Sequence, residues 1–577
     1  MIRQKISLPI ALIAASLLVA APADAKHSSA ARAKSVVFER GMVSAADPRA
    51  AEAGAEMLRA GGSATDAAIA TMLALSVVEP QSSGIGGGGF YISSDARGRI
   101  ETIDGRETAP KAAHPKWFWK DGAPISIRDL VPGGTSVGVP GNLALAAKAH
   151  ARHGRLPWSR LFQPAIRLAR DGWIASPRFR SFLEFAKSSA AFDPAGKALF
   201  YNADGSAVAA GSTLRNPAIA ATLTMLARKG ARAFYSGANA RAIVARVNSA
   251  PRNPSAMTLA DIASYRAKDR APLCGTYRGY RICGMGPPSS GETTVFAILG
   301  QLERFDLTAL GPQSPQAWHL IAESMRLAYA DRARYLGDPD FVTVPAVGLI
   351  DAGYLRQRSA LIDPARSMAL VTAGTPPGAE KLVRADLPAG PENGTSHFVA
   401  IDRRGNAVTY TSTVESAFGS GLVVGGYYLN NELTDLDILP EKDGRPAANR
   451  VEGGKRPRSS MAPTLVYAPD GRLRLALGAA GGTTIPVQVA KAIIGVIDWK
   501  LSAEEAIALH TIYAPEGATV WVEKGTALEA MIPALNALGH ADVRPRQASF
   551  KANAVEVIDG KLVGAADKRS EGRAITE

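Results

Sequence analysis

Cysteine is almost missing from this 577-residue chain, which holds only Cys274 and Cys283. Two cysteines exclude a disulfide-dense scaffold and a multi-cysteine metal centre. They bracket Cys274-Gly-Thr-Tyr-Arg-Gly-Tyr-Arg-Ile-Cys283, where a two-residue turn at Arg278-Gly279 sets them opposite each other across a hairpin. A bridge and a pair of buried thiols are both open at this point. Histidine is scarce as well: eight residues, none at paired ligand spacing, so no metal site is expected and no cofactor is called for. Long apolar runs are also lacking. Residues 10–21 and 67–78 are each too short to span a bilayer, and the second reads as a buried helix. No internal repeat and no low-complexity linker divides the chain.

What is present begins with an export signal. Arg3 and Lys5 precede the apolar stretch 10–21, and Ala23-Asp24-Ala25 supplies small residues for cleavage. Residues 1–25 therefore read as a signal peptide, with a mature start at Lys26 and a periplasmic or secreted product. Apolar residues make up 46% of the chain, ample for a large core. The formal charge is +14, yet Lys and Arg are spread along the chain with acidic residues among them. Nucleic acid is not the expected partner; a solvated surface that favours acidic substrates is.

Three short motifs point to chemistry that their surroundings contradict. Gly84-Ile85-Gly86-Gly87-Gly88-Gly89 has dinucleotide-fingerprint spacing, but it follows a helical pattern and precedes a strand, the reverse of the required order. Gly134-Thr135-Ser136-Val137-Gly138 has the form of a serine-hydrolase elbow, but Val131-Pro132-Gly133 before it is turn chemistry rather than a buried strand. Asn393-Gly394-Thr395 is a glycosylation sequon only on paper.

The informative stretch is Asn393-Gly394-Thr395-Ser396-His397-Phe398-Val399-Ala400-Ile401-Asp402. Residues 372–394 hold four prolines and almost no apolar run, so a mobile surface loop is expected there. From Thr395 a strand begins, with Phe398 and Ala400 on one face and Val399 and Ile401 on the other. A hydroxyl residue at such a junction suits a chain that cuts itself at Gly394–Thr395. The new N-terminal threonine would then carry nucleophile and base in one residue. A turn at Arg403-Arg404-Gly405-Asn406 pairs Asp402 with Ala407, placing Thr395 opposite Val414 and beside Thr413 within one residue of register. His397 reads as a strand residue.

The chain resembles the gamma-glutamyltransferase (gamma-glutamyltranspeptidase) family of N-terminal-nucleophile hydrolases along nearly all of its mature length. The resemblance rests on Glu79-Pro80-Gln81-Ser82-Ser83-Gly84, Arg106-Glu107-Thr108-Ala109-Pro110, Ser136-Val137-Gly138-Val139-Pro140-Gly141 and Arg326 through Arg332. It continues through Gly337-Asp338-Pro339, Asn430-Asn431-Glu432-Leu433-Thr434-Asp435, Arg458-Ser459-Ser460-Met461 and Gly478-Ala479-Ala480-Gly481-Gly482-Thr483. It implies a four-layer αββα sandwich, made as a proenzyme and cut into a large subunit, 26–394, and a small one, 395–577. Thr395 would be the nucleophile, aided by Thr413, with Gly481 and Gly482 as oxyanion hole. Arg106, Ser459 and Ser460 would hold a substrate α-carboxylate, and Glu415, Glu432 and Asp435 its α-ammonium. Glutathione and other γ-glutamyl compounds are the implied donors, with water, amino acids or dipeptides as acceptors.

This chain departs from the family in places. Thr-Thr-His at the nucleophile reads Thr395-Ser396-His397, Glu415 stands where many members have asparagine, and the lid region 436–458 is short and free of aromatics. Two competing readings are a cephalosporin (glutaryl) acylase of the same fold and an inactive exported binding protein. A glutaryl group lacks the ammonium that three acids await, and the retained Thr395, Thr413 and Arg106 argue against inactivity.

Overall fold

The structure, a computed structural model, describes Met1 and residues 37–387, 394–515, 517–547 and 551–577. Residues 2–25 of the expected signal peptide, Lys26 and Asn393 lie outside the described residues. Two antiparallel sheets organise the rest. In chain order the elements that build them and their helical covers begin with β1 (Met42–Ala45), α1 (Pro48–Arg59), α2 (Ala64–Val78), β2 (Gly88–Ser94) and β3 (Ile100–Gly105). Then come α3 (Asn142–His153), β4 (Lys268–Arg270), β5 (Pro272–Tyr277), β6 (Tyr280–Met285), α4 (Gly291–Leu302) and α5 (Pro315–Tyr335). The last third holds β7 (Gly394–Ile401), β8 (Ala407–Glu415), β9 (Thr464–Tyr467), β10 (Leu473–Ala480), α6 (Ile485–Ile497), β11 (Lys551–Ile558), β12 (Lys561–Ala566) and β13 (Arg573–Thr576). One sheet runs β13-β1-β7-β8-β2-β3-β4 and the other β12-β11-β10-β9-β6-β5.

The predicted two-faced burial of β7 explains the layering. Phe398 and Ala400 pack with α1, α2 and α3 in one core. Val399 and Ile401 face the other core, with β10, β11, α4, α5 and α6. Phe398, Val399 and Ile401 each contribute roughly 1.5–3 kcal/mol on removal from water, so a one-residue slip would lose burial on both faces at once. Across the interface Thr409 donates to the Leu477 carbonyl at 3.2 Å and Asn553 to the His397 carbonyl at 3.0 Å. Helices therefore cover both outer faces of two stacked sheets, the αββα arrangement.

α2 is buried along its whole length, as its apolar run implies, and starts at a capping box between Ser63 and Asp66. The cysteine hairpin resolves to a disulfide: Cys274 and Cys283 are cross-strand partners bonded at a Cα separation of 4.2 Å, and Arg278 and Gly279 both take positive φ. The turn after β7 differs from expectation. It has three residues, closed by Asp402 N–H donating to the Asn406 carbonyl, with Gly405 at φ +82°. Ile401 rather than Asp402 thus pairs with Ala407, and every partner shifts by one. The loop expected to be mobile is tied down as far as residue 387. Arg334 grips Asp386 with two bonds of 2.5 and 2.7 Å, and Ala385 N–H donates to the Pro446 carbonyl at 3.1 Å.

Candidate active site

Register places Thr395 opposite Thr413, and the ladder breaks immediately before it, where Gly394 faces Glu415. Glu415 adopts φ +77°, a conformation costly for a residue with a side chain. Gly394 lies so close to this kink that a Cβ there would stand 2.6 Å from the Glu415 carbonyl and 2.7 Å from that of Ser416. Only glycine fits before the threonine. In this uncut chain the Thr413 hydroxyl donates to the Gly394 carbonyl at 2.5 Å, and the Thr395 hydroxyl donates to Thr413 Oγ1 at 3.3 Å. Glu415 N–H supplies a second donor to Thr413 Oγ1 at 2.8 Å. The hydroxyl that polarises the Gly394 carbonyl is therefore itself polarised from two sides.

Beneath the strand, the Gly-rich run is a floor rather than a nucleotide loop: Gly87 lies against the Thr413 carbonyl, where a Cβ would approach to 1.9 Å. The apparent elbow is a short 3-10 turn whose Ser136 hydroxyl donates to the Gly133 carbonyl. His397 is fully buried between Thr411 and Thr409, and burial pushes its pKa down to about 3, so it stays neutral. Ser396 donates to Glu79 at 2.7 Å, and the buried Lys551 ammonium bonds Glu79 at 3.0 Å and Ser396 at 3.3 Å.

Arg106, at the end of β3, is fully buried and forks its guanidinium to Glu432 and Asp435. The same head donates to the carbonyls of Pro457 at 3.2 Å and Arg458 at 2.8 Å. The expectation set Arg106 against one end of a substrate and the two acids against the other; here all three meet. Glu107 joins them facing Glu432, and neither of its carboxyl oxygens nor Glu432 Oε2 meets an N–H or hydroxyl donor from another described residue. Burial raises the pKa of all three acids against the pull of Arg106, that of Glu107 to about 8. Three buried carboxyls around one guanidinium leave room for a cation or a proton. Glu415 sits beside them, held by Ser416 at 2.5 Å and by Asn431.

Ser459 and Ser460 are buried next to this cluster and fixed by Arg332. Its Nη2 donates to Ser460 Oγ at 2.7 Å and its Nε to Ser290 Oγ at 2.8 Å, and Ser290 in turn donates to the Ser459 carbonyl at 2.6 Å. Gly481 and Gly482 follow β10 with φ of +125° and +60°. Their place is set by register: Ala480 pairs with Lys551, whose ammonium reaches Ser396, the neighbour of Thr395. Tyr329 and Tyr513 hold Thr483 from behind. The segment expected to form a short lid contains a small hairpin, Glu441–Lys442 with Arg445–Pro446, with Trp119 bonded to the Ile438 carbonyl and Asn449 to the Asp435 carbonyl.

Several of these residues carried no assigned role from sequence. Glu79, Glu107 and Arg332 stood inside the quoted motifs, but nothing in a linear string says which motif residue turns inward. Lys551 had no signal at all, starting a strand 155 residues after its serine partner.

The sequence matches the model of the gamma-glutamyltranspeptidase family over residues 50–577. It is 34% identical to the glutathione hydrolase proenzyme of Bacillus subtilis (strain 168), across 98% of this chain and 97% of that protein. With the glutathione hydrolase proenzyme of Escherichia coli (strain K12) it shares 35% identity across 92% and 91%. The acylase ACY 1 proenzyme of Pseudomonas sp. (strain SE83) is 36% identical across 93% of both chains. Among solved structures, a cephalosporin acylase from Bacillus halodurans superposes with a TM-score of 0.81 at 25% identity, covering 97% of this chain and 99% of that one. Helicobacter pylori gamma-glutamyltranspeptidase superposes with a TM-score of 0.55 at 35% identity, over 58% of this chain and 95% of that one. With one family model spanning residues 50–577 and proenzyme relatives alike along almost the whole length, the protein belongs to the gamma-glutamyltranspeptidase family of enzymes, on the αββα fold of N-terminal-nucleophile hydrolases.

Proposed function

We propose that the chain matures by cutting itself between Gly394 and Thr395 and then acts as a γ-glutamyltransferase and glutathione hydrolase. The carrying observation is the chain of hydroxyls from Thr395 through Thr413 to the Gly394 carbonyl. Thr395 Oγ1 attacks that carbonyl, the Gly394–Thr395 C–N bond breaks, and the hydroxyl proton passes to the freed α-amine. Water then cleaves the resulting ester, giving a large subunit of residues 26–394 and a small one of 395–577. The freed amine has an ordinary pKa of about 7.7–8.0, so it is partly neutral near working pH and serves as base.

In turnover the same oxygen attacks the γ-carbonyl of a donor such as glutathione. The amine leaves with a proton, and water or an amino acid or dipeptide amine removes the acyl group. Arg106, with Ser459 and Ser460, receives the α-carboxylate; Glu415, Glu432 and Asp435 receive the α-ammonium. Backbone N–H groups of Gly481 and Gly482 stabilise the oxyanion, a contribution of typically about 10²–10³ in rate per donor. The surplus of buried acids supports an ammonium-bearing substrate over a glutaryl one, although acylases stand among the relatives. Comparing a γ-glutamyl anilide with the matching glutaryl anilide tests the reading: preference for the glutaryl compound would overturn it.

A further inference from the structure

The balance of charge is less even than the whole chain suggests. Residues 148–252 contain 17 Lys and Arg against 4 Asp and Glu; nine of the 17 pair with acids, six of them with acids outside the stretch, and the remaining cations concentrate in its second half. Residues 205–260 contain seven cations and no acid. This stretch is helical and belongs to the layer that covers the seven-stranded sheet.

The helix Pro217–Lys229 buries Ile219, Leu223 and Leu226 and turns the rest of its surface outward. It ends in exposed Arg228 and Lys229. The chain turns at Gly230, exposes Arg232 on the next 3-10 turn, and exposes Arg241 on the helix Gly237–Asn248. Among the described residues no carboxylate pairs with these four. At the other end, about 20 Å away by helix rise, exposed Arg215 stands near Arg170, which pairs with Asp171, because Asn216 N–H bonds the Ala169 carbonyl. Two large apolar side chains stand out of the same layer. Ile174 is 54% exposed and pairs with Thr213, and Phe185 is 79% exposed at the end of a helix whose Arg180 pairs with Glu184.

We propose that this face docks the protein on an anionic phospholipid surface. Its cations spread over the outside of a helical layer, matching a laterally extended sheet of phosphate headgroups. Single-stranded nucleic acid is instead held in a basic groove lined with stacking aromatics. Exposed Phe185 and Ile174 add the apolar insertions of an interfacial surface, and each Lys or Arg near such a membrane adds to the attraction until salt screens it. The docking is peripheral and independent of any spanning helix.

Sedimentation of the purified protein with phosphatidylcholine vesicles, with and without phosphatidylglycerol, tests this. Binding is expected only with phosphatidylglycerol and only at low salt. Arg228→Gln, Lys229→Gln and Arg232→Gln combined should weaken it by about a hundred-fold, while activity on a soluble γ-glutamyl substrate stays unchanged and shows the variant folded. Lys500→Gln, Lys524→Gln and Lys561→Gln combined change the net charge equally and should leave binding close to wild type. Equal losses from the two triple variants, binding to neutral vesicles, no binding at all, or tighter retention by a DNA duplex at the same salt would each overturn the proposal.

Discussion

The two ends of the β7–β8 hairpin are built from the same kind of strand and hold opposite chemistry. At the turn end Asp402 is fully bonded, by the turn's own N–H groups and by Ala64 N–H. Asp402 Oδ1 accepts from Arg404 and Asn406 N–H at 3.0 Å each, and the ladder runs without a break. At the Thr395 end the ladder breaks, Glu415 takes a left-handed conformation, and buried acids crowd a single arginine. The turn end closes without strain, whereas the Thr395 end keeps a costly backbone conformation at Glu415.

The largest effect is expected from Thr395→Ala, which should give one uncut chain with no γ-glutamyl activity, seen by electrophoresis and an anilide assay. Thr413→Ala should slow processing by about 10²–10³ through loss of the carbonyl's donor, and Thr413→Ser should restore most of it, followed as cut fraction over time. Arg106→Lys keeps the charge but loses the fork, so kcat/KM for a γ-glutamyl substrate should fall roughly 10–100-fold.

Stability separates the two ends by pH, measured as thermal midpoints in the uncut Thr395→Ala background. The folded pKa of Glu107 is raised to about 8 by burial, from an ordinary 4.5. Its contribution is therefore fully present below about 4.5 and is lost as pH rises through about 8. Glu107→Gln carries no such proton, so the variant should gain on its parent as pH rises through this window, by up to ~1.4 kcal/mol per pH unit. A parent–variant gap independent of pH would refute the assignment. The smallest effect belongs to the turn: Asp402→Ala should lower stability by about 1–2 kcal/mol while the rate of cutting stays unchanged.

Much of the hairpin was legible in the sequence, unevenly. Alternation gave both faces of β7, because burial on two sides demands apolar residues at every position from Phe398 to Ile401. The register slipped by one because Gly405 in a left-handed conformation allows a three-residue loop, and loop length is not visible in Arg-Arg-Gly-Asn itself. The Thr395 end was legible as a junction, and the resemblance named the residues around it. That Arg106 would meet Glu432 and Asp435 needed three distant segments to be folded together. Glu107 and Lys551 were invisible for the same reason: a buried charge shows its purpose only through the partners that surround it.

The most direct test of the account is the intact mass of the purified wild-type protein under denaturing conditions, with the N-terminus of each chain read. Self-cutting by Thr395 predicts two chains, the smaller beginning at Thr395. A single uncut chain, or a small chain beginning at any other residue, would contradict it.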